Sequence, residues 1–210
     1  MKVYQAKYAK KENVFDALKE AEEIQITSYP WNEDYQPKST AKLVWTDDAF
    51  YYEMSSLEKK ENIRAVEEGI SGFVHTDSCL EFFFSPLPDS RKEYINIEIN
   101  PNAATHIEVG PNRQERCLRT DIDLAILETK TFMVKEGEMI RWGFSAKVPY
   151  TLVEKLMEVE DFYPSAYMRA NFYKCGNKTP EPHYGIWNDI ETENPDYHRP
   201  EFFGRVEFVK

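Results

Sequence analysis

Cysteine is scarce in this 210-residue chain: Cys79, Cys117 and Cys175 are an odd number, and no two stand in a CxxC spacing. Neither a disulfide framework nor a zinc knuckle is supported. Glycine is also scarce, with 8 residues, and no low-complexity run is present, which argues against linkers and repeats. Long apolar runs are missing. The opening MKVYQAKYAKKENVF interrupts every hydrophobic group with charge, so no signal peptide or transmembrane helix is visible there. These absences read as reduced thiols in a cytoplasmic protein. Positive charge is in deficit: 26 Lys and Arg against 37 Asp and Glu give −11, which argues against nucleic acid or an anionic membrane as partner.

What the chain does have is apolar and aromatic residues, 41% and 14% of the total, ample for a core. Its periodicity is mostly two. Cys79 to Ser85 puts Leu80, Phe82 and Phe84 on one face and Cys79, Glu81 and Phe83 on the other. Tyr94 to Asn100 places Ile95, Ile97 and Ile99 opposite Tyr94, Asn96, Glu98 and Asn100, and Met139 to Val148 buries Ile140, Trp142, Phe144, Ala146 and Val148. Ala41 to Trp45 and Phe50 to Met54 flank a polar turn at Thr46–Ala49, a hairpin pattern. Asp47 and Asp48 could ligate calcium, but no further oxygen ligands follow at close spacing, and the turn reading is preferred. Ile24 and Ile26, Thr105 to Val109, Ile122 to Leu127, Thr131 to Val134, and Val206 with Phe208 read as shorter strands.

Two helices are expected at the periphery. Asn13 to Glu23 carries Val14, Phe15, Leu18 and Ala21 on one side, and Pro149 opens a second helix that runs to about Glu158. Ser55 to Gly72 is charge-rich and reads as a solvated excursion. Many short strands without a βαβ rhythm predict an all-β, antiparallel β-sandwich with two short peripheral helices, residues 1–210 forming one domain.

Several strands pair an apolar face with one that is polar and aromatic. Glu81 with Phe83, Tyr94 with Asn96, Glu98 and Asn100, and Arg169 with Asn171 and Tyr173 supply carboxylates, amides, a guanidinium and rings. Those groups suit sugar recognition: bidentate donors and acceptors for vicinal hydroxyls, rings for C–H faces. The alternative is a solvated face on which Arg169 pairs with Glu81 or Glu98.

The densest stretch is NFYKCGNKTPEPHYGIWNDIETENPDYHRPEFFG, Asn171 to Gly204. It opens as a strand, with Met168, Ala170 and Phe172 opposite Arg169, Asn171 and Tyr173. Pro180, Pro182, Pro195 and Pro200 then forbid a helix or central strand. Its aromatic content favours an ordered loop folded over the sheet, with Trp187 either a lid on the core or a ligand platform. Cys175, His183 and His198 are spaced too widely for a usual zinc pattern. His198 beside Arg199 and Glu201 reads as a pin for the loop.

With these residues in view, the chain resembles the family 9 carbohydrate-binding modules, in their single-domain form. The likeness runs from FDALKEAEEIQI…YPW through STAKLVWTDDAFYYEM, HTDSCLEFFFSP and EYINIEIN to RANFYKCG…PH…W…HRPEFFG, the last being the most specific. The resemblance implies a jelly-roll-like sandwich that binds a mono- or oligosaccharide, often at a reducing end, in carbohydrate catabolism. It also implies structural calcium and frequent association with glycoside hydrolases. It places Trp187 as the second ring of a two-ring clamp. The first ring falls on His75, six residues before Glu81, where the imidazole is a departure that Phe73 or Trp31 would offset. Glu81, Glu98, Asn100 and Asn171 fall on positions near the sugar, with Arg169 supplying positive charge.

One ring on a sugar face covers roughly 60–100 Å² of apolar surface, worth about 1.5–2.5 kcal/mol at about 25 cal/mol/Å². That suits recognition at micromolar to millimolar affinity. Two other readings remain open at this point: a glycosidase using Glu81 and Glu98 as acid and base, and a structural or protein-interaction domain. Against catalysis, Arg169 nearby would hold both carboxylates ionised.

Overall fold

The computed structural model describes residues 1–31 and 34–210. In chain order the strands are β1 (Val3–Tyr8), β2 (Ile24–Ile26), β3 (Lys38–Trp45), β4 (Ala49–Lys59), β5 (Cys79–Ser85), β6 (Tyr94–Ile99) and β7 (Thr105–Gly110). They continue with β8 (Cys117–Leu118), β9 (Lys130–Glu136), β10 (Met139–Pro149), β11 (Tyr167–Cys175), β12 (Tyr184–Ile186) and β13 (Gly204–Val209). All thirteen join one curled sheet in the order β8-β7-β6-β5-β11-β13-β1-β3-β4-β10-β9, with β12 added beside β11 and β2 beside β3. Every pairing is antiparallel except at β1, which runs parallel to both β13 and β3. The expected sandwich is thus present as a sheet folded onto itself and made mixed by one strand.

The fold closes where the period-two pattern says it should. Leu80, Phe82 and Phe84, Ile95, Ile97 and Ile99, and Met168, Ala170 and Phe172 face one core from the β5-β6-β11 half. Leu43, Tyr52, Met54, Trp142, Phe144 and Val148 meet them from the β3-β4-β10 half. Phe82 stacks on Phe84 at 4.6 Å and on Phe172 at 4.8 Å between ring centroids. Each such side chain taken from water contributes about 1.5–3 kcal/mol, which makes the shared layer the main source of cohesion.

Two helices lie outside the sheet, α1 (Val14–Glu20) and α2 (Tyr150–Met157). Pro149 is the residue before α2 and holds extended backbone, φ −62° and ψ 148°, while Glu158 ends the helix in the left-handed region at φ 52°. Leu152, Val153, Leu156 and Met157 turn inward to the main core. Among the described residues no helix is long and apolar enough to cross a membrane.

The Thr46–Ala49 turn is built as one: Thr46 Oγ1 donates to Asp48 Oδ1 at 2.8 Å, and Lys11 holds Asp48 Oδ2 at 2.7 Å. Two expectations are corrected. Residues 55–59 are not solvated excursion but the end of β4, and Ser56 and Glu58 are fully buried. They face inward because β4 stays paired with β10 to its last residue and with β3 as far as Leu57, so alternation continues through polar residues. Residues 124–127 form a 3-10 turn rather than a strand, capped by Asp123 accepting from the Ala125 N–H. The N-terminal VYQAKY is a strand, since Tyr4 and Ala6 bury one phase of a segment whose other phase, Val3, Gln5 and Lys7, is exposed.

Candidate functional site

The second face of the β5-β6-β7-β11 half is polar, and it is covered. Across it the registers bring His106 opposite Glu98, Glu98 opposite Glu81, and Glu81 opposite Tyr173, with Cys79 opposite Cys175 one step along. Residues 176–203 fold over this face and are fastened to it. The Tyr173 hydroxyl donates to the Tyr197 carbonyl at 3.1 Å, and the two rings stack at 4.0 Å. The Asn171 amide exchanges two hydrogen bonds with the Asn188 backbone, both 2.9 Å. The Trp31 indole N–H donates to the Thr192 carbonyl, and Arg113 pairs with Asp196 at 3.0 Å.

Between floor and roof is a cavity of about 420 Å³. Its floor is Glu81, Glu98, His106, Glu108 and Cys175, and its roof is Asn177, Tyr184, Pro195, Tyr197 and His198. His75 closes one side and Arg113 and Arg116 another.

The electrostatics of the floor are uneven. Glu108 is well compensated: Arg116 Nη1 lies 2.8 Å and His106 Nε2 3.1 Å from its Oε2. Although burial raises the Glu108 pKa, those cations bring it below the usual carboxylate range. His106 donates from Nδ1 to the Ser71 carbonyl at 3.0 Å, so the ion pair of its Nε2 with Glu108 needs the imidazolium. Burial alone would lower the His106 pKa; the Glu108 bond and the Glu98 charge outweigh it and raise it. Glu81 and Glu98 are only 2% and 3% exposed and stand side by side. Burial, then the Glu98 charge, pushes the Glu81 carboxyl well above its ordinary value. Glu98 accepts from Asn96 Nδ2 at 3.1 Å on Oε1, while its Oε2 has no hydrogen-bond partner. His198, packed against Arg116 and bonded to the Tyr94 hydroxyl at 2.9 Å, is held neutral: burial and then the arginine charges lower its pKa to about 2.

Of the residues expected at a sugar site, His75, Glu81 and Glu98 meet in this cavity, and His75 is half-buried with burial lowering its pKa. The others lie elsewhere. Trp187 is 5% exposed and belongs to the main core, edge-on to Phe172 at 5.8 Å and tight over Gly204. The cause is alternation: Ile186 pairs with Tyr173 and turns to the cavity side, which sends Trp187 the other way. A clamp built from His75 and Trp187 is therefore absent, and Trp187 is a lid on the core. Phe73 is exposed and outside the cavity lining, and Trp31 packs on Tyr197 at 6.0 Å.

Arg169 pairs in register with Ser85, four residues from Tyr173 and hence roughly 13 Å along the strand from the Glu81 position. Its guanidinium donates to the Phe203 and Gly204 carbonyls instead, so it neither pairs with Glu81 or Glu98 nor holds them ionised. Asn100 pins a turn: its amide donates to Asp77 Oδ2 and the Glu67 carbonyl, and its Oδ1 accepts from Asn102 and Ala104. Asn171 anchors the roof through Asn188, and Tyr173 is fully buried beneath Tyr197.

Sequence reasoning missed His106, Glu108, Arg116, Tyr197 and the cavity-facing placement of His198. The THIEVG strand carried a usable signal, since His106 and Glu108 share one phase against Ile107 and Val109. His183 is not with His198. It lies on the core side, its Nε2 accepting from Lys174 Nζ at 2.7 Å, with Lys174 3.3 Å from Glu58.

A β-sandwich with one sheet face roofed into a polar, tyrosine-lined cavity defines a ligand-binding module. The chain belongs to carbohydrate-binding family 9: a sequence model of that family matches residues 10–208. Its fold is similar to that of a candidate carbohydrate-binding protein from Bacteroides uniformis, 26% identical, TM-score 0.81, covering 99% of both chains. It is also similar to a family 9 carbohydrate-binding module from Caldicellulosiruptor kristjanssonii solved with cellotriose. That match is 13% identical with TM-score 0.61, covering 99% of this chain and 94% of that one. The same module solved with glucose matches at 14% identity and TM-score 0.61, covering 99% and 95%. No curated protein matches the chain.

Proposed function

We propose that the chain binds a mono- or oligosaccharide, without cleaving it, in the cavity between the β5-β6-β7 face and the 176–203 roof. The observation that supports this most is the lining: carboxylates, imidazoles and a guanidinium for hydroxyl groups, with the Tyr184 and Tyr197 rings for C–H faces, in a family 9 fold. About 420 Å³ falls within the roughly 300–1,000 Å³ of small-molecule sites, enough for one or two sugar rings. The related module solved with cellotriose and with glucose makes β-glucans and their end units the first ligands to try.

A hydrolytic reading has one observation in its favour, the raised Glu81 carboxyl. Its geometry opposes it. An acid and its partner carboxylate flank a glycosidic bond from two sides, whereas Glu81 and Glu98 are direct cross-strand neighbours projecting from one floor.

The test is calorimetric titration with glucose, cellobiose and xylo-oligosaccharides, each as the reducing sugar and as its borohydride-reduced alditol. Saturable heat with at least one sugar, and no release of reducing ends over a long incubation, is the expected result. Heat with the reducing form alone would fix recognition at the chain end. Silence across the set from folded protein would overturn the proposal.

A further inference from the structure

Below the cavity, three donors converge that the sugar reading does not use together. Cys79 Sγ, a Glu81 carboxylate oxygen and a Glu98 carboxylate oxygen all lie within 4.8 Å of one another, and all three side chains are buried. Among the described residues they are the one group of three or more histidine, cysteine or carboxylate side chains gathered so closely. The register explains it: Cys79 and Glu81 share one phase of β5, and β6 sets Glu98 directly beside Glu81.

The second observation is the unpartnered Glu98 Oε2. Glu98 is 3% exposed and lines the cavity, and its other oxygen accepts from the Asn96 amide and lies 3.9 Å from His106 Nε2. A buried carboxylate oxygen without a donor is unfavourable unless a cation compensates it. The nearby cations are committed elsewhere: Arg116 and His106 Nε2 to Glu108, and Arg113 to Asp196. Lys174 points to the other side of β11, toward Glu58.

We propose that Cys79, Glu81 and Glu98 form a binding site for a divalent transition-metal ion of the zinc class at the floor of the cavity. The donor set selects the ion. Calcium takes about six to eight oxygens and no sulfur, so a thiolate disfavours it. One soft sulfur with two carboxylates suits zinc or cobalt, with a fourth position open toward the cavity. Binding converts the Cys79 thiol to a thiolate and Glu81 to its carboxylate, and releases the protons they hold to solvent. The proposal does not depend on the sugar reading, because metal retention is measured with no sugar present.

The experiment uses the full chain, stripped with chelator, kept reduced with a phosphine, and equilibrated with Zn²⁺ or Co²⁺ before dialysis. Elemental analysis should find one metal per chain. The cobalt form should show a thiolate-to-metal charge-transfer band in the near ultraviolet. Cys79→Ser should remove the band, and the near-isosteric Glu98→Gln, which tests the site should Cys79→Ser not fold, should weaken retention at least about ten-fold. Cys117 is the exposed thiol and the control for adventitious binding, so Cys117→Ser should change neither reading. Substoichiometric metal in the wild type would overturn the site. So would full retention by Glu98→Gln, or loss of the band in Cys117→Ser.

Discussion

Two buried clusters in this molecule use similar groups to opposite ends. On the core side, Glu58 faces Lys174 and His183, all three fully buried, and Trp142 donates its indole N–H to Glu58 Oε1 at 2.5 Å. Lys174 also donates to His183 Nε2 at 2.7 Å and to the Cys175 carbonyl at 2.8 Å, while His183 Nδ1 donates to the Glu181 carbonyl. On the cavity side, Glu81 and Glu98 adjoin His106, but its Nε2 lies closer to Glu108, and no cation is dedicated to the pair. The first carboxylate carries its counter-ion inside the fold. The second pair is left short of positive charge, as a floor awaiting a ligand would be. Burial alone does not separate structure from site; the account of charge does.

The comparison breaks most sharply at Lys174. Lys174→Met strands Glu58 without its cation and should cost about 3–5 kcal/mol in denaturant unfolding. Restoring stability with a second change, Glu58→Gln, would sharpen the assignment to charge. Trp187→Ala should cost a similar 3–5 kcal/mol as a core truncation, while Trp187→Phe should fold and keep sugar affinity within about two-fold. A platform role would show the reverse, with affinity lost and stability kept.

At the cavity, Glu98→Gln should weaken sugar binding by about 1.5–3 kcal/mol, the worth of a hydrogen bond to a charged group, read by calorimetry. The same substitution should change folding stability by less than about 1 kcal/mol, since it removes an uncompensated charge.

Acid should act through the two neutral histidines. His183 is held at about 2, first by burial and then by the Lys174 charge, and His198 at about 2. Unfolded histidine titrates near 6.5. Both pKa values are depressed in the fold, so their contribution is complete above pH 6.5 and falls as pH drops below it, by up to about 1.4 kcal/mol per unit each. His106, raised, works the other way: its contribution is present below 6.5 and is lost as pH rises through its folded value. His183→Gln and His198→Gln should each flatten the acid limb of a stability profile.

Much of the fold was legible because alternation is strongest where one phase is wholly apolar. Leu80, Phe82 and Phe84 against Cys79, Glu81 and Phe83 needed no tertiary knowledge. The SSLEK end of β4 was illegible because its inward residues are Ser56 and Glu58, whose partners Ser39 and Lys174 are distant in sequence. The site was half legible. Glu81, Glu98 and His75 were found from spacing and resemblance, and the THIEVG phase would have added His106 and Glu108. Trp187 misled because its side is fixed by how β12 registers against β11, and Arg169 because charge type says nothing about position along a strand.

The central claim is the location of the ligand, and a crystal structure of the protein grown with cellobiose or glucose tests it most directly. The account predicts sugar density between His75, Glu81, Glu98, Tyr197 and His198, with Trp187 unmoved in the core. A sugar stacked on Trp187, or bound outside the roofed face, would contradict it.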